Sequence, residues 1–247
     1  MSTHFLESMY KKQTLISAVH RRRLEKIRAT FDEVIPPSAS SWGDFGCSTG
    51  FIIDHLVSRC RLSFSKIVGY DVCDELLEDA SRRGIPNAEF RHFDLNELRE
   101  PDGTFDVVSC FETLEHVADY RVALENLYRH QAPGGMLILT IPNETGLIGL
   151  GKFLGRFVAT RSPYGDFFER QSRLKYISYL ITHKTISGFR EYRKTGYGPH
   201  LGFDYRDVVA FIEDRYVAKN KLTPTKIRSA SWGTGKILIN RRVGGSV

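Results

Sequence analysis

The sequence predicts an α/β fold, in which a mostly parallel sheet carries helices on both faces. Between residues 40 and 143, short apolar runs alternate with amphipathic segments, a pattern typical of strands joined by covering helices. The first apolar run ends in a glycine-rich turn that opens directly into a helical pattern, and the second ends in an acid, Asp71. Beyond residue 203, a further helical pattern and two alternating runs predict an antiparallel strand pair at the end of the sheet.

A helix is predicted before the first strand, over residues 5–33, because apolar residues recur at helical spacing from Leu15 to Phe31. The three arginines at residues 21–23 indicate either a solvated helix face or a site that attracts an anionic ligand. Residues 36–41, PPSASS, then form a linker into the first strand.

The turn after the first strand carries the strongest functional signal. Residues 42–51, WGDFGCSTGF, combine the end of a strand, a tight turn and the start of a helix, a geometry that lets backbone N–H groups approach a nucleotide-like ligand. A nicotinamide or flavin dinucleotide fits poorly, because the G-x-G-x-x-G/A pattern fails at Ser48 and Phe51. The Gly-Lys-Ser/Thr sequence that closes a P-loop is also absent. Asp71 follows the glycines at a spacing of about twenty residues, which suits a carboxylate that binds a ribose diol.

Five motifs, in order, resemble those of the class I S-adenosylmethionine-dependent methyltransferases. The glycine turn is similar to their acid-x-Gly-x-Gly-x-Gly motif, with Ser48 in place of the middle glycine. The sequence ETLEHV at residues 112–117 resembles the branch that contains the ubiquinone-type O-methyltransferases. The remaining matches are the pair Asp94-Leu95 after the third strand, a fourth strand at 105–111, and a Pro-Gly-Gly turn at 133–135 before a fifth strand at 136–143.

The resemblance implies a single domain, residues 1–247, with a Rossmann-like sheet of seven strands and S-adenosylmethionine as the cofactor. Its parts are expected to be an N-terminal helical segment, a cofactor-binding core, a helical lid inserted after the fifth strand, and a C-terminal helix with a strand pair. The expected bounds of these parts are 1–38, 39–143, 144–202 and 203–247. The lid is expected to cover the active site and to select the acceptor.

The resemblance also implies roles for the residues around the cofactor. Asp44 is expected to order the glycine turn, and Asp71 to bind the ribose hydroxyls. Asp94 and Leu95 are expected to hold the adenine, while Phe111 packs near the ring or the methionine moiety. The full predicted cofactor-binding set is Asp44, Gly46, Cys47, Ser48, Gly50, Asp71, Val72, Asp94, Leu95 and Phe111.

His116 is the predicted general base, because it follows the fourth strand, whose carboxyl end faces the crevice of an open α/β sheet. Imidazole titrates near neutral pH, so it can accept a proton from a hydroxyl group. A second hypothesis is a divalent metal such as Mg²⁺ or Mn²⁺, since Glu112, Glu115 and His116 stand at i, i+3 and i+4 and would share one face of a helix. Their sequence resembles the metal-binding motif of small-RNA 2′-O-methyltransferases, which use a later histidine, here matched by His200.

The amino-acid composition limits which partners and which cellular location are expected for the protein. With 41% hydrophobic and 26% charged residues, the chain has the composition of a soluble globular protein. It shows no apolar run long enough to span a membrane and no secretory-signal pattern. Its four cysteines lack metal-binding spacing, so we expect reduced thiols in a cytoplasmic enzyme. The formal charge of +6 permits a nucleic acid, a phospholipid surface or a sugar nucleotide as partner, and selects none of them.

Together these observations predict methyl transfer to a hydroxyl group of a small-molecule or glycan-linked acceptor. A metal-dependent RNA ribose 2′-O-methyltransferase and a non-catalytic binding module are the alternatives. The long lid and the absence of an added RNA-binding domain favour the small acceptor. Apolar and basic residues mix in the lid, so peripheral contact with a membrane is a further hypothesis. The sequence does not define the oligomeric state.

Overall fold

The computed structural model describes residues 15–159, 172–190, 201–230 and 233–244. Its strands are β1 Ser41–Phe45, β2 Lys66–Asp71, β3 Ala88–His92, β4 Phe105–Phe111, β5 Gln131–Pro142, β6 Lys226–Ser229 and β7 Gly235–Arg241. They form one seven-stranded sheet with the order β3-β2-β1-β4-β5-β7-β6. Strands β1 to β5 run parallel, whereas β7 is antiparallel to both β5 and β6. The predicted α/β fold with a terminal antiparallel pair is confirmed.

Helices cover the sheet and extend beyond it. The α-helices in the described part of the chain are α1 Leu15–Val34, α2 Phe51–Val57, α3 Asp74–Ser81, α4 Tyr120–Arg129, α5 Gly146–Ala159, α6 Arg173–Ile181 and α7 Tyr205–Ile212. A short 3-10 helix at Ser187–Phe189 and a π-helical turn at Glu213–Val217 accompany them. None of the helices in these ranges is both long and apolar enough to cross a membrane.

Apolar cores lie on both faces of the sheet, which explains why the parallel strands are such continuous hydrophobic runs. On one face, the Phe31 ring of α1 lies 5.2 Å from the Trp42 ring of β1, centroid to centroid. On the other face, Leu124 of α4 and Val208 of α7 belong to a second buried cluster. Helix α1 confirms the predicted N-terminal helix from residue 15 onward, and residues 5–14 lie outside the described residues.

The carboxyl ends of β1 to β5 meet at one edge of the sheet, because these strands are parallel. Strand order reverses between β1 and β4, since β2 lies on one side of β1 and β4 on the other. Loops that leave this point in opposite directions open a crevice, which is where open α/β sheets bind ligands. The predicted functional residues follow these strands.

Between β5 and α7 the chain leaves the sheet and builds a small apolar cluster of its own. We call the described residues of this region, 144–159 and 172–190, the insert. Its cluster consists of the buried side chains Phe153, Tyr176, Leu180, Ile186 and Phe189, together with Leu201. The insert is helical in α5 and α6, and residues 160–171 and 191–200 of the predicted lid lie outside the described residues.

Candidate active site

The glycine turn after β1 has a left-handed backbone at three alternate positions. The φ angles are +83° at Gly46, +51° at Ser48 and +70° at Gly50. Two bonds fix the start of the turn, because the N–H groups of Gly46 and Cys47 both donate to the Tyr70 carbonyl oxygen, at 2.7 and 2.9 Å. Gly50 is the N-cap of α2 and makes no side-chain cap, so this residue leaves the first N–H groups of the helix without a side-chain acceptor.

The Asp71 carboxylate lies at the end of β2 and connects this turn to the next loop. Its Oδ2 accepts a hydrogen bond from the Ser48 N–H at 2.8 Å, and its Oδ1 accepts one from the Cys73 N–H at 3.0 Å. Each carboxylate oxygen keeps a second lone pair, so Asp71 can also accept bonds from the two hydroxyl groups of a ribose. This geometry is compatible with the predicted ribose-binding role.

Asp44 does not hold the glycine turn, in contrast to the role expected for it. Its Oδ1 accepts a hydrogen bond from the Ser109 hydroxyl at 2.6 Å, and the Ser109 oxygen accepts one from Trp42 Nε1 at 2.7 Å. Burial raises the pKa of Asp44 to about 7, the Ser109 bond opposes that rise, and the negative charge of Asp71 adds to it. Asp44 therefore belongs to a buried polar chain across β1 and β4, while Tyr70 and Asp71 hold the turn.

Two of the predicted cofactor contacts have side chains in the apolar core. Cys47 is buried, and a Cβ built on Gly69 of β2 would lie 2.9 Å from its Sγ. Burial raises the pKa of this thiol well above its ordinary value, so the thiol is neutral. Phe111 is also buried, and its ring lies 5.9 Å from the Phe31 ring of α1. Both side chains belong to the core beside α1, which does not favour direct cofactor contact through them.

The loop after β3 carries the residues predicted to hold the adenine. Asp94 Oδ1 accepts two hydrogen bonds from Asn96, one from its N–H at 2.8 Å and one from its Nδ2 at 2.7 Å. Asn96 Oδ1 accepts from the Ala118 N–H at 2.6 Å, which ties this loop to the segment after β4. The Leu95 side chain is buried in the core beside α4, whereas Val72 is exposed. Of the predicted cofactor-binding residues Val72, Asp94 and Leu95, the accessible ones are therefore Asp94 and Val72.

Residues 112–116 form a turn, which we call the β4 turn, and not the helix that the metal hypothesis requires. Glu112 has a φ of +50°, and the His116 N–H donates to the Thr113 carbonyl oxygen at 2.9 Å. The expectation that Glu112, Glu115 and His116 share one helix face is therefore wrong. The cause is local, because a left-handed residue at the first position interrupts the i, i+4 repeat.

Thr113 packs the β4 turn against the glycine turn. A Cβ built on Gly46 would lie 2.8 Å from the Thr113 Cβ and closer still to its terminal atoms, so only glycine fits there. The Thr113 hydroxyl also donates to the Phe111 carbonyl oxygen at 3.0 Å. At the other end of the same turn, the His116 side chain is 33% exposed. The Thr113 contact joins the glycine turn to the β4 turn three residues before His116.

The residues predicted as metal ligands do not fit a metal centre. Glu112 forms an ion pair with Arg23 of α1, so a guanidinium already neutralises its carboxylate. Glu115 is fully buried, and burial together with the negative charge of Glu112 raises its pKa well above the ordinary value. In the described ranges no group of three His, Cys, Asp or Glu side chains could hold a metal ion, and His200 lies outside those ranges.

Helix α1 brings Arg23 to the site, and the ion pair that it forms there with Glu112 was not predicted from the sequence pattern. Arg23 is the buried member of the arginine run, whereas Arg21 and Arg22 are exposed. Its partner Glu112 lies 89 residues away in the chain, beyond the reach of any local signal. Burial, helped by the positive charges of Arg23 and Lys152, lowers the pKa of the nearby His20 to about 4.

Charged side chains stabilise the insert and join it to the segment after the β4 turn. The buried Glu144 carboxylate pairs with two cations of α5, with Lys152 at 3.1 Å and with Arg156 at 2.9 Å. Arg190 donates to the Val117 carbonyl oxygen at 2.9 Å, immediately after the β4 turn. The insert is therefore in contact with the segment that carries the predicted base.

Two further observations at the glycine turn fit a bound cofactor. The Ser48 Oγ is buried and has no hydrogen-bond partner within the described part of the chain, so a ligand group can satisfy it. Arg83, just after α3, donates to the Thr49 carbonyl oxygen and lies 3.7 Å from the Asp54 carboxylate. Arg83 thereby holds the far side of the glycine turn. It was not predicted from the sequence, because it lies 34 residues from Thr49 in the chain.

Comparison with known families decides the identity of this crevice. The family model described as "Methyltransferase domain" matches residues 18–191, a range that contains the glycine turn, Asp71, the loop after β3 and the β4 turn. The chain belongs to the methyltransferase domain family. It is an S-adenosylmethionine-dependent methyltransferase, so the ligand expected at the glycine turn is S-adenosylmethionine.

Individual relatives of this methyltransferase differ in their named reactions. It is similar to the dTDP-4-amino-2,3,4,6-tetradeoxy-D-glucose N,N-dimethyltransferase of Saccharopolyspora spinosa, with 27% identity over 83% of this chain and 81% of that protein. It is also similar to the ubiquinone biosynthesis O-methyltransferase of Xanthomonas oryzae pv. oryzae, with 32% identity over 49% of this chain and 52% of that enzyme. The match thus spans about half the length of the ubiquinone enzyme.

A solved structure shows the same fold at low identity. The plantazolicin methyltransferase BpumL in complex with SAH matches with a TM-score of 0.61 and 12% identity, over 96% of this chain and 88% of that one. At that identity the likeness concerns the fold alone.

Proposed function

We propose that this methyltransferase transfers a methyl group to a hydroxyl group of a small-molecule or glycan-linked acceptor, with His116 as the general base. The observation that supports this most is the β4 turn. Thr113 packs at one end of it on the glycine turn, while the His116 imidazole remains accessible at the other. A base held rigidly beside the donor can meet a hydroxyl group placed for attack.

The cofactor provides the methyl group, whereas residues of the chain orient the acceptor and remove its proton. When bound, S-adenosylmethionine would supply the methyl group from its sulfonium, and the electron pair of the broken sulfur–methyl bond would stay on the sulfur of the S-adenosylhomocysteine product. The chain holds the acceptor oxygen in line, which can lower the barrier by roughly 7–11 kcal/mol, and a positioned base adds about 100-fold or more. His116 accepts the hydroxyl proton at a ring nitrogen as the oxygen–methyl bond forms. Glu115 Oε1 lies 4.0 Å from His116 Nε2, and burial raises the pKa of this carboxyl well above its ordinary value, which disfavours a negative charge beside the base.

The relatives and the insert support a small acceptor. The Saccharopolyspora protein is named for a dTDP-linked amino sugar and the Xanthomonas protein for ubiquinone biosynthesis. The insert borders the β4 turn through Arg190, so its side chains are the ones expected to contact the acceptor. RNA ribose methylation is not proposed, because the metal ligands that it requires do not fit.

Methylation of an amino sugar nitrogen is a second candidate, because the relative that covers 83% of this chain is an N,N-dimethyltransferase. A neutral amine attacks through its own lone pair, so it needs no base before the methyl group moves. A hydroxyl group must lose its proton during the attack. The effect of removing His116 therefore separates the two candidates.

The test combines calorimetry with methyl-transfer assays. Binding of S-adenosylmethionine is measured first, and transfer of labelled methyl is then measured on sugars, sugar nucleotides and phenols that carry hydroxyl or amino groups. We expect His116→Gln to bind the donor like the wild type and to lower kcat on a hydroxyl acceptor about 100-fold. His92→Gln, at the exposed end of β3, is the matched control and should leave kcat unchanged.

Three outcomes would contradict the proposal in different ways. An unchanged kcat of His116→Gln on a hydroxyl acceptor would remove His116 from the reaction. Transfer to amines alone would favour the second candidate. Donor binding without transfer to any acceptor would favour a non-catalytic binding module.

A further inference from the structure

The loop after β3, residues 94–99, contains no helix or strand, and two asparagine side chains hold its path. It starts from a fixed point, because the Phe93 N–H donates to the Asp71 carbonyl oxygen at 2.9 Å. Asp71 pairs with His92 in the sheet, so Asp94 follows two residues after that pair. Asp71 and Asp94 therefore lie at the same edge of the sheet, at the ends of adjacent strands.

Asn126 of α4 binds the backbone of this loop at three points. Its Nδ2 donates to the Leu95 carbonyl oxygen at 3.3 Å and to the Glu97 carbonyl oxygen at 2.8 Å, and its Oδ1 accepts from the Arg99 N–H at 3.1 Å. Asn126 is fully buried, and the loop is what satisfies its amide. These bonds replace the regular secondary structure that the loop lacks.

Asn96, within the loop, fixes the orientation of the Asp94 carboxylate. Its Oδ1 accepts a hydrogen bond from the Ala118 N–H at 2.6 Å. A backbone N–H only donates, so the amide oxygen of Asn96 must face Ala118 and the amide nitrogen is left to face Asp94. That nitrogen donates to Asp94 Oδ1 at 2.7 Å, and the Asn96 N–H donates to the same oxygen at 2.8 Å.

The second oxygen of the Asp94 carboxylate remains for a ligand. Within the ranges that the structure describes, Asp94 Oδ2 accepts no hydrogen bond, and the residue is half-buried. An ionised carboxylate only accepts, so it suits a ligand group that donates. The exocyclic amino group of adenine is such a donor, whereas hypoxanthine carries a carbonyl oxygen at the same position.

We propose that Asn96 and Asn126 are positioning residues that make the loop after β3 selective for the amino group of the donor's adenine. Asn126 fixes the path of the loop, and Asn96 turns the Asp94 carboxylate so that its Oδ2 accepts from that amino group. Both asparagines act through Asp94. The proposal rests on the predicted adenine role of Asp94, and it does not depend on the acceptor or on His116.

Calorimetry with two forms of the demethylated donor tests this proposal. S-adenosylhomocysteine is compared with S-inosylhomocysteine, which carries a carbonyl oxygen in place of the adenine amino group. We expect the wild type to bind the adenosyl form about 30-fold more tightly, because Asp94 bonds to the amino group and repels the carbonyl oxygen. Asp94→Ala should abolish this preference. Asn96→Ala and Asn126→Ala should lower it to about 5-fold, since the carboxylate is then free to turn or the loop to shift.

The matched control for Asn126→Ala is Asn240→Ala. Asn240 is also buried, and its Nδ2 donates to the Thr223 carbonyl oxygen at 2.8 Å and to the Thr225 hydroxyl oxygen at 3.0 Å, on β7 at the other side of the sheet from β3. This variant should lower the unfolding temperature as Asn126→Ala does and keep the wild-type preference. Asn96 is only half-buried, so Asn96→Ala tests the proposal even where Asn126→Ala does not fold.

Three results would overturn the proposal, and none of them bears on His116. Equal binding of both ligands by the wild type, or an undiminished preference in Asp94→Ala, would show that Asp94 does not contact the base. If Asp94→Ala abolishes the preference while an asparagine variant retains it, the positioning role of that asparagine is wrong and Asp94 keeps its own. A lost preference in Asn240→Ala as well would show a general effect of lower stability.

Discussion

The donor side of the crevice is held through the backbone N–H groups of the glycine turn, whereas the insert is held by charged side chains. On the donor side, the Tyr70 carbonyl and the Asp71 carboxylate hold the glycine turn through main-chain N–H groups. In the insert, Glu144 pairs with two cations of α5, and Arg190 reaches the Val117 carbonyl. The two bonds to the Tyr70 carbonyl tolerate most side chains and the Asp71 bond depends on one particular side chain, whereas each ion pair of the insert depends on two. The fold thus fixes the donor side, and exchange of a few charges can remodel the insert.

The largest effect expected on the donor side concerns Asp44, whose pKa burial raises to about 7. Between the unfolded pKa of about 4 and that value, the native chain holds a proton that the unfolded chain has lost, so stability falls as pH rises. Asp44→Asn removes this loss. The unfolding free energy of the variant minus that of the wild type should therefore increase across this window, by up to about 1.4 kcal/mol per pH unit.

Urea denaturation at several pH values measures this difference. The comparison with the wild type cancels the contributions of other titrating groups, including His20, whose lowered pKa acts in the opposite direction. If the difference in unfolding free energy stays constant between these pH values, Asp44 is charged throughout. That result would contradict the raised pKa of the buried Asp44 carboxyl.

The next effect tests the contact between the glycine turn and the β4 turn. Gly46→Ala meets Thr113 and also requires a side chain at a φ of +83°, so it should lower the unfolding free energy by about 3 kcal/mol. Gly84→Ala is the matched control, because its φ is +65° and a Cβ there would meet nothing within 4 Å. That variant should lose only about 1 kcal/mol. Equal losses in the two variants would mean that the Thr113 contact is not tight.

A change in the insert should act on the acceptor and not on the donor. Glu144→Gln leaves Lys152 and Arg156 without their buried carboxylate, which should cost about 2 kcal/mol of stability and raise the KM for the acceptor. The affinity for S-adenosylmethionine should be unchanged. Glu33→Gln, which removes an exposed pair with Arg228, should cost much less stability, because solvent screens that pair. A parallel loss of donor affinity in Glu144→Gln would show that the two regions are coupled.

Of these substitutions, Asp71→Asn should change the unfolding free energy least. It should still clearly lower the affinity for the donor. Asp71→Asn keeps an oxygen that can accept from one N–H and loses the charge offered to the ribose, so donor affinity should fall by about 2 kcal/mol, or about 30-fold. Asp74→Asn, an exposed acid in the next helix, is the control and should bind like the wild type. Calorimetry with S-adenosylhomocysteine measures both. Equal affinities would exclude Asp71 from the ribose site.

The same contrast explains what the sequence could predict. The sheet, the glycine turn and the acid at the end of β2 follow from signals within a few residues of each other. The orientation of Cys47 and Phe111 toward the core was missed, because a motif does not define which face a side chain takes. The left-handed Glu112 was missed as well, since glutamate carries no signal for that conformation. The pair of Arg23 with Glu112 spans 89 residues and exists only in the folded chain.

The first two N–H groups of the glycine turn are bound to Tyr70 on the neighbouring strand, and not within the turn itself. The turn therefore acquires its shape only after β1 and β2 have paired, so partly folded chains without that pairing have no affinity for the donor. A ligand that binds only the finished structure slows its unfolding and leaves the early steps of refolding unaffected. Stopped-flow mixing with S-adenosylmethionine should show this asymmetry, with a slower unfolding limb and an unchanged refolding limb.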